Sequence, residues 1–268
     1  MPSSTESAAP PPKPGAIALT GASRGIGAAI ALELAARGHR VACLTRSGKG
    51  VEEGTVPAHL VERLYPIVCD VTDEVAVRRA LAEAARWGRE SDTGDQERGG
   101  LAGLINNAGF HLHGPSEGFS TEDFEAVMRT NTTALFMVSR EAYPLLDEGG
   151  GGLIVNMGSY FDKMGVPRNT AYSASKAAVG AITRCLAVEW APRNIRVLNV
   201  APGYVETNLN RDFLTRPKVL ETLLPRIPTG QWGQPGDVAR LVAALFGEDI
   251  PYLTGETIYL DGGHAIAH

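Results

Sequence analysis

Tyr172 and Lys176 stand four residues apart in the stretch Tyr172-Ser173-Ala174-Ser175-Lys176. At that spacing two side chains share one face of a helix, so an ammonium can lie beside a phenol. A free phenol has a pKa of about 10, too high for an effective base at neutral pH. A neighbouring cation favours the phenolate and lowers that value, which makes a tyrosine a usable proton shuttle. The pair alone is common on amphipathic helices. Upstream, however, stand Ser159, Asn131 and the run Thr20-Gly21-Ala22-Ser23-Arg24-Gly25-Ile26-Gly27. A glycine-rich loop of the kind that cradles phosphates, joined to a proton shuttle, points to an oxidoreductase.

The elements that must position these residues can be read from periodicity. The glycine run follows a strand pattern at Ala16–Thr20 and opens a helical one at Gly25–Arg37, where Ile26, Ile30 and Leu34 recur. Gly21 permits the tight turn, Gly25 lets backbone approach a pyrophosphate, and Gly27 lets helix pack closely on strand. The N–H groups of the helix N-terminus then face the phosphates. Further strands are expected at Arg40–Thr45, Tyr65–Cys69, Leu101–Asn106, Leu153–Gly158, Ile195–Val200 and Thr257–Leu260. Ser120, with Asp123 three residues on, caps a long helix expected to run to about Asp147 and to carry Asn131. Apolar strands alternating with helices imply an α/β fold: a parallel sheet covered on both faces. One domain is expected over 15–268, behind a disordered Pro/Ser/Ala-rich tail at 1–14. Gly88–Gly100, rich in glycine and charge, reads as a surface insertion.

Composition narrows the class. A chain of 268 residues with 44% hydrophobic and 21% charged residues is that of a soluble globular protein. A formal net charge of −5 gives no hint of a nucleic-acid partner, and no apolar run approaches the ~20 residues of a membrane span. The N-terminus has no apolar segment of a secretory signal. Cys43, Cys69 and Cys185, widely spaced in apolar patterns, read as buried reduced thiols of a cytoplasmic protein. His111 and His113 lack a carboxylate or cysteine at zinc spacing and read as pocket-rim or solvated residues; no metal is expected.

In its ordered motifs the chain resembles the short-chain dehydrogenase/reductase family. The likeness runs from about Ala16 to Gly263 and includes the glycine run, Asp70-Val71, Asn106-Asn107-Ala108-Gly109, Asn131, Ser159, Tyr172 with Lys176, Pro202-Gly203 and Asp261-Gly262-Gly263. The resemblance implies a doubly wound Rossmann fold with a seven-stranded parallel sheet and helices on both faces. It implies that Tyr172 exchanges a proton with the carbonyl or alcohol oxygen, that Ser159 orients that oxygen, and that Lys176 holds the nicotinamide ribose and depresses the tyrosine pKa. Asn131 would anchor a water linking Lys176 to solvent. Gly21, Ser23, Arg24, Gly25, Ile26 and Gly27 would cradle the cofactor phosphates, and Asp70 and Val71 would contact adenine. Asn107, Ala108 and Gly109 would line the cofactor channel. Pro202, Gly203, Val205 and Thr207 would contact the nicotinamide.

Cofactor choice depends on the end of the second strand. Relatives that bind NAD(H) usually hold the ribose there with an acidic side chain. This chain has Thr45-Arg46-Ser47, and Arg46 with Arg24 offers two guanidinium groups to a 2′-phosphate, so NADP(H) is expected over NAD(H). Residues 204–228 fall at the family's substrate lid. Tyr160, Phe161 and Met164 line the cleft or pack locally. The later part of the chain is similar to 3-oxoacyl carrier-protein reductases, yet Asp147-Glu148 and the glycines that follow carry no basic residue to dock an acidic carrier, and Arg193 is one base alone. A ketone or secondary alcohol is therefore expected ahead of an acyl carrier thioester. A catalytically silent cofactor-binding regulator and an epimerase or dehydratase are the alternatives outside this class. The family's packing implies a homotetramer.

Overall fold

The computed structural model describes residues 15–52, 56–90, 100–208 and 210–267. The tail expected at 1–14 and positions 91–99 of the expected insertion lie outside the described residues.

Seven strands form one parallel sheet: β1 Ala16–Thr20, β2 Arg40–Thr45, β3 Leu64–Val68, β4 Leu101–Asn106, β5 Gly152–Met157, β6 Ile195–Pro202 and β7 Thr257–Leu260. Their order is β3-β2-β1-β4-β5-β6-β7. β1 and β5 are buried at every residue, so neither face alternates with polar side chains and both require a cover. The helices supply it: α1 Gly25–Ala36, α2 Glu74–Arg89, α3 Thr121–Met128, α4 Ala134–Glu148, α5 Thr170–Trp190, α6 Arg211–Leu214, α7 Pro217–Thr222 and α8 Pro235–Gly247. Ile30 and Leu34 of α1 and Val238 and Val242 of α8 share one buried cluster with Ile17 and Leu19. Leu81 of α2, Leu146 of α4 and Leu186 of α5 share the other with Ala18, Leu44 and Ile154. The layers are those of a doubly wound fold. Among the described residues no helix is long and apolar enough to cross a membrane.

A polar seam crosses this apolar sheet. Asn106, Asn156, Asn199 and Thr257 stand in register on four adjacent strands. Asn106 Nδ2 donates to Asn156 Oδ1 at 2.9 Å and to Ser139 Oγ at 2.8 Å, Asn156 Nδ2 to Thr183 Oγ1 at 2.9 Å, and Asn199 Nδ2 to Thr257 Oγ1 at 3.1 Å. Burying such amides is costly unless they pair, so the seam locks strand register and the seating of α4 and α5.

Three expectations change. The long helix from Ser120 is interrupted: Ser120 Oγ caps α3 as expected, accepting from Asp123 N at 3.0 Å, but Arg129–Thr133 forms a π turn before α4. Asn131 sits in that turn, a wide-bore feature frequent at functional sites. Gly88, expected to begin a surface insertion, lies inside α2 and is buried, because a Cβ there would collide with the Gly100 carbonyl. Cys43 and Cys69 are buried, but Cys185 is exposed, since it falls on the face of α5 that points away from the sheet.

The sheet order reverses between β1 and β4. Loops after these neighbours diverge and leave a crevice at the strands' C-terminal ends, the place where such folds bind ligands.

Candidate active site

The loops after β1 and β4 meet in that crevice and are tied together. Thr20 Oγ1 accepts from Asn107 N at 3.0 Å and Ala108 N at 3.1 Å, and it donates to Ile105 O at 3.3 Å. Asn107 Nδ2 donates to Gly21 O at 3.0 Å and Thr20 O at 3.2 Å. Gly21 and Gly25 hold φ of 70° and 57°, a region unfavourable to residues with a Cβ. A Cβ on Gly27 would strike the Gly21 carbonyl, so the first turn of α1 packs on the loop itself as well as behind β1. Arg24, the residue before α1, makes no side-chain cap. The helix therefore presents uncapped N–H groups beside Ser23, Gly25 and Ile26, the arrangement that receives a phosphate. Thr207 reaches this loop: its methyl would lie 3.6 Å from a Cβ on Gly25. Asn210, not singled out in the sequence, fixes that approach, since its Oδ1 accepts from Thr207 N at 2.7 Å and its Nδ2 donates to Val205 O at 2.9 Å.

At the end of β2, Thr45 is buried with its hydroxyl unpartnered, whereas Arg46 and Arg24 are exposed. Asp70, after β3, accepts from Thr72 N and Thr72 Oγ1, which hold its carboxyl below the usual range, and the nearby Arg46 guanidinium acts in the same direction. Arg46, Asp70 and Val71 thus share one rim of the crevice. On the other side Gly203 N donates to Leu260 O at 2.9 Å, and Val205 bridges to Gly233. This places Pro202, Gly203 and Val205 at the C-terminal end of β6.

The four expected catalytic residues come together next to the loop after β4. Tyr172 and Lys176 lie on α5, with the Lys176 Nζ 5.6 Å from the centre of the Tyr172 ring. Ser159, after β5, hydrogen-bonds the Tyr172 hydroxyl. Lys176 is buried and donates to Met157 O at 2.7 Å. Asn131 Oδ1 accepts from Phe110 N at 3.0 Å, and its Nδ2 donates to Phe110 O at 3.0 Å and Ser175 Oγ at 3.1 Å. Both amide protons are committed to protein, so a water held by Asn131 would have to donate to Oδ1 or use its backbone. Gly109 makes room for this contact, since a Cβ there would lie 3.0 Å from Asn131 Oδ1 and 3.9 Å from Lys176 Nζ.

One electrostatic expectation is reversed. Tyr172 was expected to have a depressed pKa; burial raises it, with only the Ser159 hydrogen bond opposing. Burial also brings Lys176 down to about 8. Desolvation disfavours both charged forms and outweighs an ammonium that points to a carbonyl rather than at the phenol oxygen. Tyr172 is therefore protonated at neutral pH, and Lys176 keeps most of its charge there.

The cleft beside Tyr172 has unlike walls. Phe161 packs edge-on to Tyr172 at 5.8 Å, and Tyr204 joins Phe161, Trp232 and the buried His264. Phe161 thus reaches the Tyr172 ring, while Tyr160 is almost wholly buried and packs against Phe161, Tyr204 and His264. His264 carried no periodic or motif signal in the sequence. On the opposite side the His111 ring stands 4.5 Å from that of Tyr172. In the segment expected to form the lid, Leu214 of α6 is fully buried, whereas Phe213 of α6 and Leu220 of α7 are exposed. Arg193 does not belong to this region. It precedes β6, at the opposite edge of the sheet, where it pairs with Asp147 at 3.7 Å.

Known proteins resemble the chain along nearly its whole length. A family model described as Enoyl-(Acyl carrier protein) reductase matches residues 21–265. The chain is 35% identical to a glucose 1-dehydrogenase of Gluconobacter oxydans, across 92% of this chain and 90% of that one. It is 34% identical to a 3-oxoacyl-[acyl-carrier-protein] reductase of Mycobacterium tuberculosis, across 98% of each. A crystal structure of a putative 2-deoxy-D-gluconate 3-dehydrogenase from Agrobacterium tumefaciens with bound NADP superposes with a TM-score of 0.78 and 30% identity, over 93% of this chain and 96% of that one.

Proposed function

Since this chain belongs to the short-chain dehydrogenase/reductase family and is an oxidoreductase acting between a ketone and a secondary alcohol, we propose that NADP(H) is its cofactor and that Tyr172, Ser159, Lys176 and Asn131 form its catalytic set. The observation that carries this reading is the convergence of those residues beside a loop built to receive a dinucleotide. Gly21 and Gly25 in left-handed backbone, the uncapped start of α1 and the orphaned Thr45 hydroxyl fit a pyrophosphate and an adenosine ribose. Asp70 and Val71 would flank the adenine, and Pro202, Gly203 and Val205 the nicotinamide. The cofactor, when bound, supplies the hydride acceptor or donor.

The protein's part is to place the oxygen and move its proton. In reduction the Tyr172 hydroxyl gives its proton to the carbonyl oxygen while Ser159 donates a second hydrogen bond to the same atom. The Lys176 ammonium then stabilises the phenolate left behind. In oxidation the proton returns by the same route. Two donors aimed at one oxygen suit a carbonyl better than the carbon–carbon double bond of an enoyl substrate. The acyl carrier-protein reading keeps its support in the similarity to such reductases. Arg193, however, is too far round the molecule to greet a carrier at the cleft. A silent regulator would have no use for a buried Lys176, which costs desolvation free energy to retain.

Exposed Phe136 on α4 and Val188 on α5 supply apolar area for one interface between copies, and exposed Tyr252 and Ile266 near the C-terminus supply it for a second. Two such patches accord with a homotetramer of closed symmetry. Light scattering is expected to give the mass of four chains, and a monomer at micromolar concentration would contradict this.

Replacing Tyr172 by Phe removes only the shuttled proton, so carbonyl reduction should fall by about 10²–10⁴-fold with cofactor binding nearly intact. Wild-type reduction should also decline as pH rises through about 8, because Lys176 there loses the charge that supports the phenolate. A variant retaining more than about a tenth of the activity would rule out Tyr172 as the proton donor.

We assign Arg46 and Arg24 to the 2′-phosphate of NADP, and charge-assisted hydrogen bonds to it are worth roughly 1.5–3 kcal/mol each. NADPH should be preferred over NADH by at least about tenfold. Arg46→Asp removes a positive partner and offers an acceptor to a ribose 2′-hydroxyl, so preference should move to NADH, chiefly through the KM for cofactor. A wild type that used NADH better than NADPH would contradict the assignment of these arginines.

A further inference from the structure

Tyr172 has one titratable neighbour that the catalytic scheme does not use. The imidazole of His111 flanks the tyrosine ring at 4.5 Å, opposite in character to Phe161 at 5.8 Å. His111 is not a loose rim residue. Phe110 before it is held by both its backbone groups to Asn131. The segment that follows is fastened to the turn preceding α5: Gly114 N donates to Arg168 O at 3.0 Å, and Ser116 Oγ and Thr170 Oγ1 are 2.7 Å apart. His111 Nε2 itself bonds Asn169 Oδ1.

That last contact fixes which ring nitrogen bears the proton. Asn169 Nδ2 donates to Pro167 O at 2.8 Å, so its Oδ1 is the atom turned to the imidazole. A carbonyl oxygen can only accept; Nε2 must donate. Burial lowers the pKa of His111, and His113 pushes it the same way, while the Asn169 bond opposes. In the neutral ring Nδ1 is then a bare lone pair, and among the described residues none donates to it. A held acceptor therefore belongs to a ring whose centre lies 4.5 Å from that of Tyr172.

We propose that His111 Nδ1 accepts a hydrogen bond from a hydroxyl group of the substrate, selecting hydroxylated carbonyl compounds whose hydroxyl lies next to the reacting carbon. This rests on the ketone-reductase reading above and names the substrate class for the same site. The same contact serves the reverse reaction, in which the substrate is a vicinal diol. A simple ketone presents an alkyl group to Nδ1 and leaves that nitrogen to water. Because His111 is exposed, the discrimination is modest, about 3–10-fold, the range of one neutral hydrogen bond.

The test compares hydroxyacetone with butanone, which replaces the hydroxyl by a methyl of similar size. Wild type should favour hydroxyacetone in kcat/KM by about 3–10-fold. His111→Phe keeps a ring against Tyr172 but has no acceptor; its ratio should fall to about one through loss on hydroxyacetone alone. His111→Gln, with one donor and one acceptor, should restore part of the preference. An unchanged ratio in His111→Phe, with butanone still reduced, overturns this proposal and leaves the oxidoreductase reading intact. A second readout needs no turnover. In nitrogen-15 histidine-labelled protein, His111 (assigned by its loss in His111→Phe) should show the Nε2–H tautomer, and hydroxyacetone but not butanone should shift its Nδ1 resonance. A protonated Nδ1, or no shift with hydroxyacetone, overturns the proposal whether or not either ketone is reduced.

Discussion

Asn131 holds the site together. Its amide closes two hydrogen bonds on the backbone of Phe110 and a third on Ser175 Oγ, and Ser175 Oγ in turn donates to Tyr172 O at 2.7 Å. One buried side chain thereby joins the loop after β4, the π turn between α3 and α4, and the first turns of α5. The extra residue in the π turn is what brings the amide to this junction, and Thr132 Oγ1 adds a bond to Ser175 O at 3.2 Å. Losing such an amide leaves several buried groups unpaired, a cost larger than that of any single bond. The positions of Tyr172, Lys176 and His111 all depend on this junction.

Behind the junction lies a second constraint, the cost of burying Lys176. An ammonium in this interior must be hydrogen-bonded, and Met157 O provides that at 2.7 Å. The same desolvation that brings Lys176 to about 8 raises Tyr172, so both groups sit nearer their neutral forms than in water. For a proton donor this is useful, because the phenol stays loaded until the oxygen it serves becomes basic. The polar seam from Asn106 to Thr257 supports the arrangement by fixing β4, β5 and β6 in register, and each of these strands ends in a loop of the site.

Much of this was legible in the sequence. β1, β2, β4 and β7 fall where apolar runs end in turn residues, and α1 opens at Gly25 as the glycine spacing requires. Tyr172 and Lys176 could be paired because helical spacing is local information. The π turn was not legible, since the bonds it serves run from Asn131 to Phe110 and Ser175, distant in the chain. The reversal of the Tyr172 shift has a similar origin: burial is a property of the assembled fold, and the pair's spacing says nothing of it. His264 belongs to the five residues after Gly262-Gly263, which carry no period, yet it is buried in aromatic contact with Tyr160 and Tyr204. Arg193 read as near the entrance because strand patterns do not say which end of a strand faces the crevice.

The central claim is that this crevice passes hydride between a nicotinamide and a carbonyl carbon while Tyr172 handles the proton. The most direct measurement follows the atom itself. Hydroxyacetone reduced with NADPH carrying deuterium at the transferable position, in ordinary water, should yield a diol with deuterium on the new carbinol carbon and none on oxygen after exchange. Mass spectrometry and proton NMR read its location. Deuterium retained wholly in the oxidised cofactor with either face labelled, or a product whose carbinol hydrogen comes from solvent, would contradict the account.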